Sequence, residues 1–162
     1  MVTLSSSLFV ILGFAFDRVP VIYVAYGSSI PDYLMVNIEL ASRLNDVIVL
    51  YQPAANSRIN WVGGDIKTTV ETTFQLGNGN SVIFDDISDY SKSANVFSPH
   101  YVHMSRDDSA GRRKHELFCF TRWYILKDYM IRKNIETAFF GDGDSSVFMN
   151  ITEVFQLFNV DY

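Results

Sequence analysis

Apolar residues along the chain occur either in short continuous runs or at helical spacing, which predicts strands separated by helices. Residues 20–26 and 47–51 are two such runs, rich in β-branched and aromatic side chains. Runs of this length beside turn-forming residues are typical of buried strands. Between them, apolar residues recur every three or four positions over residues 32–44, directly after Pro31, which predicts an amphipathic helix. The order strand, helix, strand predicts a βαβ unit with parallel pairing.

The middle of the chain predicts a hairpin followed by a long loop. Residues 68–76 and 81–84 are strand-like, and they flank the turn sequence Gly-Asn-Gly-Asn at 77–80. Residues 85–110 are polar and show no clear periodicity, so we expect a long loop there.

Regular patterning returns in the last third of the chain. Helical spacing over residues 112–133 is the strongest in the sequence, and Asn134 is expected to end this helix. A third apolar run at 137–140 predicts another strand, and a short helix is expected at 152–158. Together these elements predict an α/β fold around a mostly parallel sheet.

Composition and charge narrow the classes of function. The chain has 162 residues, of which 48% are hydrophobic and 19% are charged, as expected for one globular domain rather than a disordered chain. The net charge is −5 and no basic stripe runs along the sequence, so we expect no nucleic-acid partner. The single cysteine, Cys119, excludes an internal disulfide and a multi-cysteine zinc site. We expect Cys119 to be a buried, inert thiol and Trp123 to be a core residue.

The N-terminus supports two interpretations. Residues 1–16 carry no charge, and residues 8–16 are strongly apolar, but this run is shorter than the roughly 20 residues that a bilayer span needs. It also lacks the basic start of a secretory signal. Residues 1–19 are therefore either an apolar lead-in or the remnant of a signal or membrane anchor, and residues 20–162 are the predicted domain.

An acidic turn after the third predicted strand carries the candidate chemistry. Asp142 and Asp144 flank Gly143 there. Ligands of open α/β sheets bind at the carboxyl ends of the strands. Two carboxylates at this spacing suit Mn²⁺ or Mg²⁺, and glycine lets a ligand approach the backbone. The alternative is an ordinary polar turn, because turns favour glycine, aspartate and serine.

The same segment also matches the spacing of a calcium-binding EF-hand loop over residues 142–153. Val147 stands where such a loop needs glycine. The ligand positions 1, 3, 5, 7, 9 and 12 fall on Asp142, Asp144, Ser146, Phe148, Asn150 and Glu153.

Residues 116–155 resemble nucleotide-diphospho-sugar glycosyltransferases of the GT-A type. In that family a helix with a basic and an aromatic residue, here Arg122 and Trp123, leads into a strand that ends in Asp-x-Asp. An apolar pair and an Asn-Ile-x-Glu helix start follow, here at 147–153. Residues 21–34 are similar to the family's first strand and helix, so the resemblance covers about half of the chain. The sequence departs from the pattern at Gly141, where a larger apolar residue is usual, and at Ser145-Ser146.

The resemblance implies a fold and a reaction. The fold is a Rossmann-like, three-layer α/β/α sandwich of the GT-A type, incomplete at its C-terminus because acceptor-binding parts follow the acidic pair in complete enzymes. The reaction is glycosyl transfer from a UDP- or GDP-linked sugar to an unknown glycan, protein or lipid acceptor. The resemblance favours the Golgi as location, with a cytoplasmic location as the alternative and membrane association through an N-terminal anchor.

The resemblance also implies the site residues. Asp142 and Asp144 would hold Mn²⁺ or Mg²⁺, and Asp142 would also face the donor ribose. Arg122 would contact the donor phosphates or sugar. The loop after the first strand, composed of Ala25, Tyr26, Gly27 and Ser28, would lie near the nucleoside. Besides the EF-hand-like module, the remaining alternative is an inactive α/β remnant that binds nothing.

Overall fold

The structure is a computed structural model that describes residues 18–25, 27, 29–53, 58–61, 64–67, 71–104, 106 and 109–158. The apolar segment at 1–16, together with Tyr26 and Ser28, lies outside the described residues. The strands are β1 (Val21–Val24), β2 (Val47–Tyr51), β3 (Arg58–Trp61), β4 (Gly64–Lys67), β5 (Thr72–Gln75), β6 (Ser81–Asp86) and β7 (Phe139–Gly141). The α-helices are α1 (Asp32–Ser42), α2 (Lys92–Phe97), α3 (Ala110–Lys133) and α4 (Ile151–Leu157).

Five strands form one mostly parallel sheet in the order β5-β6-β2-β1-β7. β1 pairs in parallel with both β2 and β7, and β2 pairs in parallel with β6. β5 is antiparallel to β6, which confirms the predicted hairpin. The pairing of β1 with β2 across α1 confirms the predicted βαβ unit. β3 and β4 form a separate antiparallel pair that the sequence did not predict.

Helices cover both faces of the sheet because successive strand residues point to opposite sides. Val21 and Tyr23 of β1 pack in a core that includes residues of α1 and α4. Ile22 and Val24 pack in a second core with residues of α2 and α3. This α/β arrangement is compatible with a Rossmann-like fold. Of the helices in the described part of the chain, none has the length and apolarity that a bilayer crossing requires.

The long helix α3 crosses the sheet from one edge to the other. Its first turn is capped by the Ser109 side chain, and Asn134 ends it in the left-handed region with φ of 54°. Arg122, near its middle, contacts Asp142 just after β7. Lys133, at its end, contacts Asp85 in β6. The helix predicted at 112–133 is therefore confirmed. On one face of the sheet, it connects the acidic turn after β7 with the end of β6.

The prediction of a long loop at 85–110 is wrong for residues 85–100, which are mostly in regular elements. β6 continues to Asp86, a 3₁₀ helix follows at Ile87–Tyr90, then α2, and a second 3₁₀ turn at Ser98–His100. These elements span one or two turns each, too short to show a periodic pattern. They are held by contacts between elements, such as the two hydrogen bonds that Ser93 donates to the Asp128 carboxylate.

A close contact between β1 and β7 explains the unusual glycine before the acidic turn. Gly141 pairs in register with the fully buried Tyr23. A Cβ at position 141 would lie 2.4 Å from Tyr23 Cε1. The Tyr23 ring thus fills the space that a larger residue at 141 would need.

We predict that Gly141→Ala lowers the free energy of unfolding by about 1–3 kcal/mol, because the added methyl overpacks a closed contact. Gly77→Ala is the matched control, since a Cβ at Gly77 has nothing within 4 Å. Urea denaturation measures both variants. Equal effects of the two substitutions would contradict the overpacking account.

A buried carboxyl group lies under α3. Asp85 accepts a hydrogen bond of 2.6 Å from the Tyr90 hydroxyl, and its carboxylate lies 3.5 Å from Lys133 Nζ. Lys133 also forms an ion pair with Glu71. Burial raises the pKa of Asp85, although the Tyr90 hydrogen bond and Lys133 both act to lower it.

The pKa of Asp85 is higher in the folded protein than in the unfolded protein. The protonated Asp85 therefore stabilises the fold when pH is below the pKa of the unfolded state, and this stabilisation is lost as pH rises through the pKa of the folded state. We predict that the unfolding free energy of the wild type, minus that of Asp85→Asn, increases as pH falls from about 8 to about 4. Denaturant unfolding across this range measures the difference. A difference that stays constant, or that decreases toward low pH, would contradict it.

Candidate functional site

The carboxyl ends of β1 and β7 lie beside a cavity of about 500 Å³. From β1 the chain passes through α1 to β2 on one side, whereas β7 lies on the other side of β1 and is reached from α3 on the opposite face. Such a switch in strand order leaves a crevice at the carboxyl edge of an open sheet. The cavity opens at that crevice, between α1, α3 and the acidic turn.

Four of the predicted site residues line this single cavity. They come from the end of β1, the middle of α3 and the turn after β7: Ala25, Arg122, Asp142 and Asp144. Gly27 lies outside the cavity lining, is exposed and has φ of 94°, a conformation that favours glycine. Tyr26 and Ser28 fall outside the described residues, so their predicted role is not addressed by the structure.

Arg122 and Asp142 form an ion pair at the base of the acidic turn. Arg122 Nη1 lies 3.0 Å from Asp142 Oδ1, and the Gly143 amide donates to the same oxygen at 3.1 Å. The guanidinium carbon lies 5.2 Å from the ring centre of Phe140 and 5.5 Å from that of Trp123. Two aromatic rings thus contact the cation beside the carboxylate.

The acidic turn is bound to α1 through one amide side chain. Asn37 Nδ2 donates to the Gly143 carbonyl at 2.9 Å, and Ser146 Oγ donates to Asn37 Oδ1 at 2.6 Å. Within the turn, the Ser145 amide donates to the Asp142 carbonyl at 2.8 Å. Tyr23, below the turn, directs its hydroxyl to the Ser145 carbonyl, and burial raises the pKa of Tyr23 to about 12. The hydroxyl therefore stays a neutral donor.

A second buried amide positions the chain as it enters α4. Asn45 Oδ1 accepts from the Ile151 amide at 2.8 Å, and Asn45 Nδ2 donates to the Met149 carbonyl at 3.0 Å. Sequence reasoning missed both Asn37 and Asn45. The available signal for Asn37 was its spacing, three residues after Leu34 and four before Ala41, which places a polar residue on the apolar stripe of the predicted helix. Asn45 follows that helix and carried no such signal.

The donor set of the turn fits a divalent cation shared with phosphate. Asp142 and Asp144 are exposed carboxylates, and Mg²⁺ or Mn²⁺ prefers such oxygen ligands together with water and substrate phosphate. Among the described residues, no group of three or more histidine, cysteine, aspartate or glutamate side chains is arranged to hold a metal. The turn therefore lacks the four protein ligands of a closed structural site.

The EF-hand interpretation lacks the structure that it requires. An EF-hand loop follows a helix, whereas the strand β7 precedes Asp142. Two of its ligand positions are occupied by helix capping, since the Glu153 amide donates to Asn150 Oδ1 at 3.3 Å and Asn150 Nδ2 donates to Glu153 Oε1 at 3.1 Å.

The expected burial of Trp123 and Cys119 in α3 is wrong. Trp123 is 50% exposed and packs against Phe140 rather than inside the core. Cys119 is partly exposed and lines the cavity, and its Sγ lies 3.9 Å from His115 Nε2. Both follow from the position of α3, which turns this part of its surface toward the open edge of the sheet.

The chain matches no protein-family model, no curated protein and no solved structure. The resemblance to GT-A glycosyltransferases and everything that it implies about activity, cofactor and location therefore stay predictions. The structure shows an α/β fold with a mostly parallel sheet. It also shows a cavity lined by the acidic turn, Ala25 and Arg122.

We predict that Asn37→Ala loosens the acidic turn. The substitution removes both hydrogen bonds between α1 and the turn, and it leaves the Gly143 carbonyl without this partner, so the protein should lose about 1–3 kcal/mol of stability. Amide hydrogen exchange over residues 142–150 should become faster. Asn95→Ala, at an exposed position of α2, is the control and should leave this exchange unchanged. Exchange in Asn37→Ala equal to the wild type would contradict the role of Asn37.

Proposed function

We propose that this domain binds a nucleoside-diphosphate sugar through Mn²⁺ or Mg²⁺ held by Asp142 and Asp144, and that it serves glycosyl transfer. The observation that supports this most directly is the single cavity at the switch point of the sheet, where both carboxylates meet Ala25 and Arg122. A dinucleotide or sugar nucleotide is the class of ligand that such crevices in α/β sheets accept. The EF-hand alternative has no comparable support.

The proposed fold is the Rossmann-like, three-layer sandwich of the GT-A type. Its support is the order β6-β2-β1-β7 of the parallel strands, the helices on both faces, and an acidic pair directly after the strand that neighbours β1. Each of these features agrees with the resemblance in residues 21–34 and 116–155. The sugar, its nucleotide, the acceptor and the Golgi location belong to the same proposal.

Each residue of the cavity has a defined task in this proposal. Asp142 and Asp144 provide oxygen ligands, and Arg122 offers guanidinium donors to the diphosphate. A divalent cation bound there would neutralise charge that develops on the nucleoside diphosphate as the glycosidic bond breaks. Ala25, whose amide already donates to the Leu50 carbonyl at 2.8 Å, forms a fixed wall beside the nucleoside.

Calorimetric titration of UDP with and without Mn²⁺ tests the proposal on the wild type, Asp144→Asn and Glu136→Gln. We predict that UDP binds the wild type only with metal, and that Asp144→Asn weakens this binding at least about tenfold because one ligand to the cation is lost. Glu136→Gln is the matched control, since Glu136 is an exposed carboxylate before β7, at the opposite end of the strand. It should bind like the wild type.

The outcomes separate the alternatives. Binding of GDP instead of UDP keeps the proposal and changes the donor. Absence of binding to both nucleotides, with and without metal, would contradict the proposal and favour an inactive α/β remnant. Binding of Ca²⁺ alone, lost in Glu153→Gln, would favour the EF-hand-like module.

A further inference from the structure

Arg122 already occupies part of the surface that a cation at Asp142 would use. Its side chain is 19% exposed and lies 3.0 Å from Asp142 Oδ1, whereas Asp142 is 55% exposed. The Gly143 amide also donates to Oδ1, so this oxygen has two donors in the free protein. A divalent cation at Asp142 would therefore meet a carboxylate that is already paired.

The charges of the cavity make this competition unfavourable for metal alone. Two carboxylates and one guanidinium line the cavity, which leaves one net negative charge among these three groups, and an added divalent cation reverses the sign. The cation and the guanidinium would then lie within a few ångströms of each other and repel. A nucleoside diphosphate carries the negative charge that relieves this repulsion.

Arg122 also has an unused donor. Its Nε is buried and has no hydrogen-bond partner in the described part of the chain. Buried donors are nearly always paired, so the free protein leaves the guanidinium of Arg122 incompletely satisfied beside the cavity that this residue lines. A guanidinium has five donors in a planar fork that matches phosphate oxygens.

We propose that Arg122 is a positioning residue with two alternating partners. In the free protein it serves as the counterion of Asp142, and in the complex its guanidinium turns to the diphosphate, so that metal and nucleoside diphosphate bind cooperatively. This inference rests on the proposed function, and it specifies how the two ligands depend on each other. Metal alone binds weakly, and bound nucleotide makes the metal site available by drawing Arg122 away from Asp142.

The surroundings of Arg122 permit such a change without rearrangement of the fold. The ion pair with Asp142 is partly exposed, and partly exposed pairs are weak enough to be exchanged for another partner. Phe140 and Trp123 hold the cation by ring contacts that do not depend on Asp142. A small rotation about the end of the side chain changes the partner while the rings keep the guanidinium at the cavity.

The test measures Mn²⁺ alone and Mn²⁺ with UDP, or with GDP if that is the nucleotide bound, on the wild type and Arg122→Gln. Electron paramagnetic resonance of free Mn²⁺ gives the metal affinity, and calorimetry gives the nucleotide affinity. We expect Arg122→Gln to bind Mn²⁺ alone about threefold to tenfold more tightly, because the competing cation is gone. We expect it to bind the nucleotide in saturating Mn²⁺ about tenfold or more weakly, because the phosphate donors are lost.

Two control variants separate the local contact from general charge. Arg112→Gln removes the same charge from the same helix at an exposed residue that pairs with Glu116, and it should change neither affinity. Arg122→Lys keeps the charge beside Asp142 but loses the fork, so it should restore the weak binding of Mn²⁺ alone while only partly restoring nucleotide binding. Thermal unfolding of each variant checks that the fold is intact.

The two proposals fail in different ways. If the wild type binds a nucleotide with Mn²⁺ and Arg122→Gln binds Mn²⁺ alone no better than the wild type, the role of Arg122 as competing counterion is overturned while the proposed function stands. If the wild type binds neither nucleotide with Mn²⁺, both proposals are overturned. Opposite changes in the two affinities of Arg122→Gln would support the inference, since a purely structural defect would weaken both.

Discussion

Three residue pairs between β1 and β7 determine where the candidate site forms. Val21, Ile22 and Tyr23 align in parallel with Phe139, Phe140 and Gly141 across more than a hundred intervening residues. This register places Asp142 at the same edge of the sheet as Ala25, because parallel strands end together at one edge. The cavity, the acidic turn and the contact of Arg122 all follow from it. A shift of β7 by one residue would turn Phe139 and Gly141 to the other face of the sheet, because β1 is held in place by β2.

The backbone of the acidic turn is held by hydrogen bonds from the protein, whereas its carboxylate side chains are exposed. Asn37 and Tyr23 bind its backbone from the side of α1 and β1, whereas the carboxylates of Asp142 and Asp144 face outward. The Gly143 and Ser145 carbonyls are thereby paired inside the protein, while both carboxylates are exposed, Asp142 within its ion pair with Arg122. Such a division between a fixed backbone and available side chains is what preorganises a binding site.

The sequence predicted the elements whose pattern is local and missed those that depend on distant contacts. The βαβ unit, the hairpin and α3 each carry their own periodicity. The acidic pair was chosen because carboxylates suit a divalent cation, and Arg122 was chosen from the resemblance. The structure places these residues at one cavity. The short helices within residues 85–110 were missed because side chains of other elements hold them. Asn37 and Asn45 were missed for the same reason, since their partners lie about a hundred residues away. The half-exposed position of Trp123 likewise depends on how α3 crosses the sheet, which no local pattern contains.

The contact between Tyr23 and Gly141 constrains how this protein can change over evolutionary time. A side chain that appears first at position 141 would place its Cβ 2.4 Å from Tyr23 Cε1, so that step overpacks the contact and lowers stability while the tyrosine is present. A smaller residue that appears first at position 23 leaves a cavity, which costs stability but keeps the backbone in place. Either order therefore passes through a less stable intermediate, so positions 23 and 141 are constrained to change together. Gly141, before the acidic turn, is thus favoured as long as Tyr23 occupies the neighbouring strand.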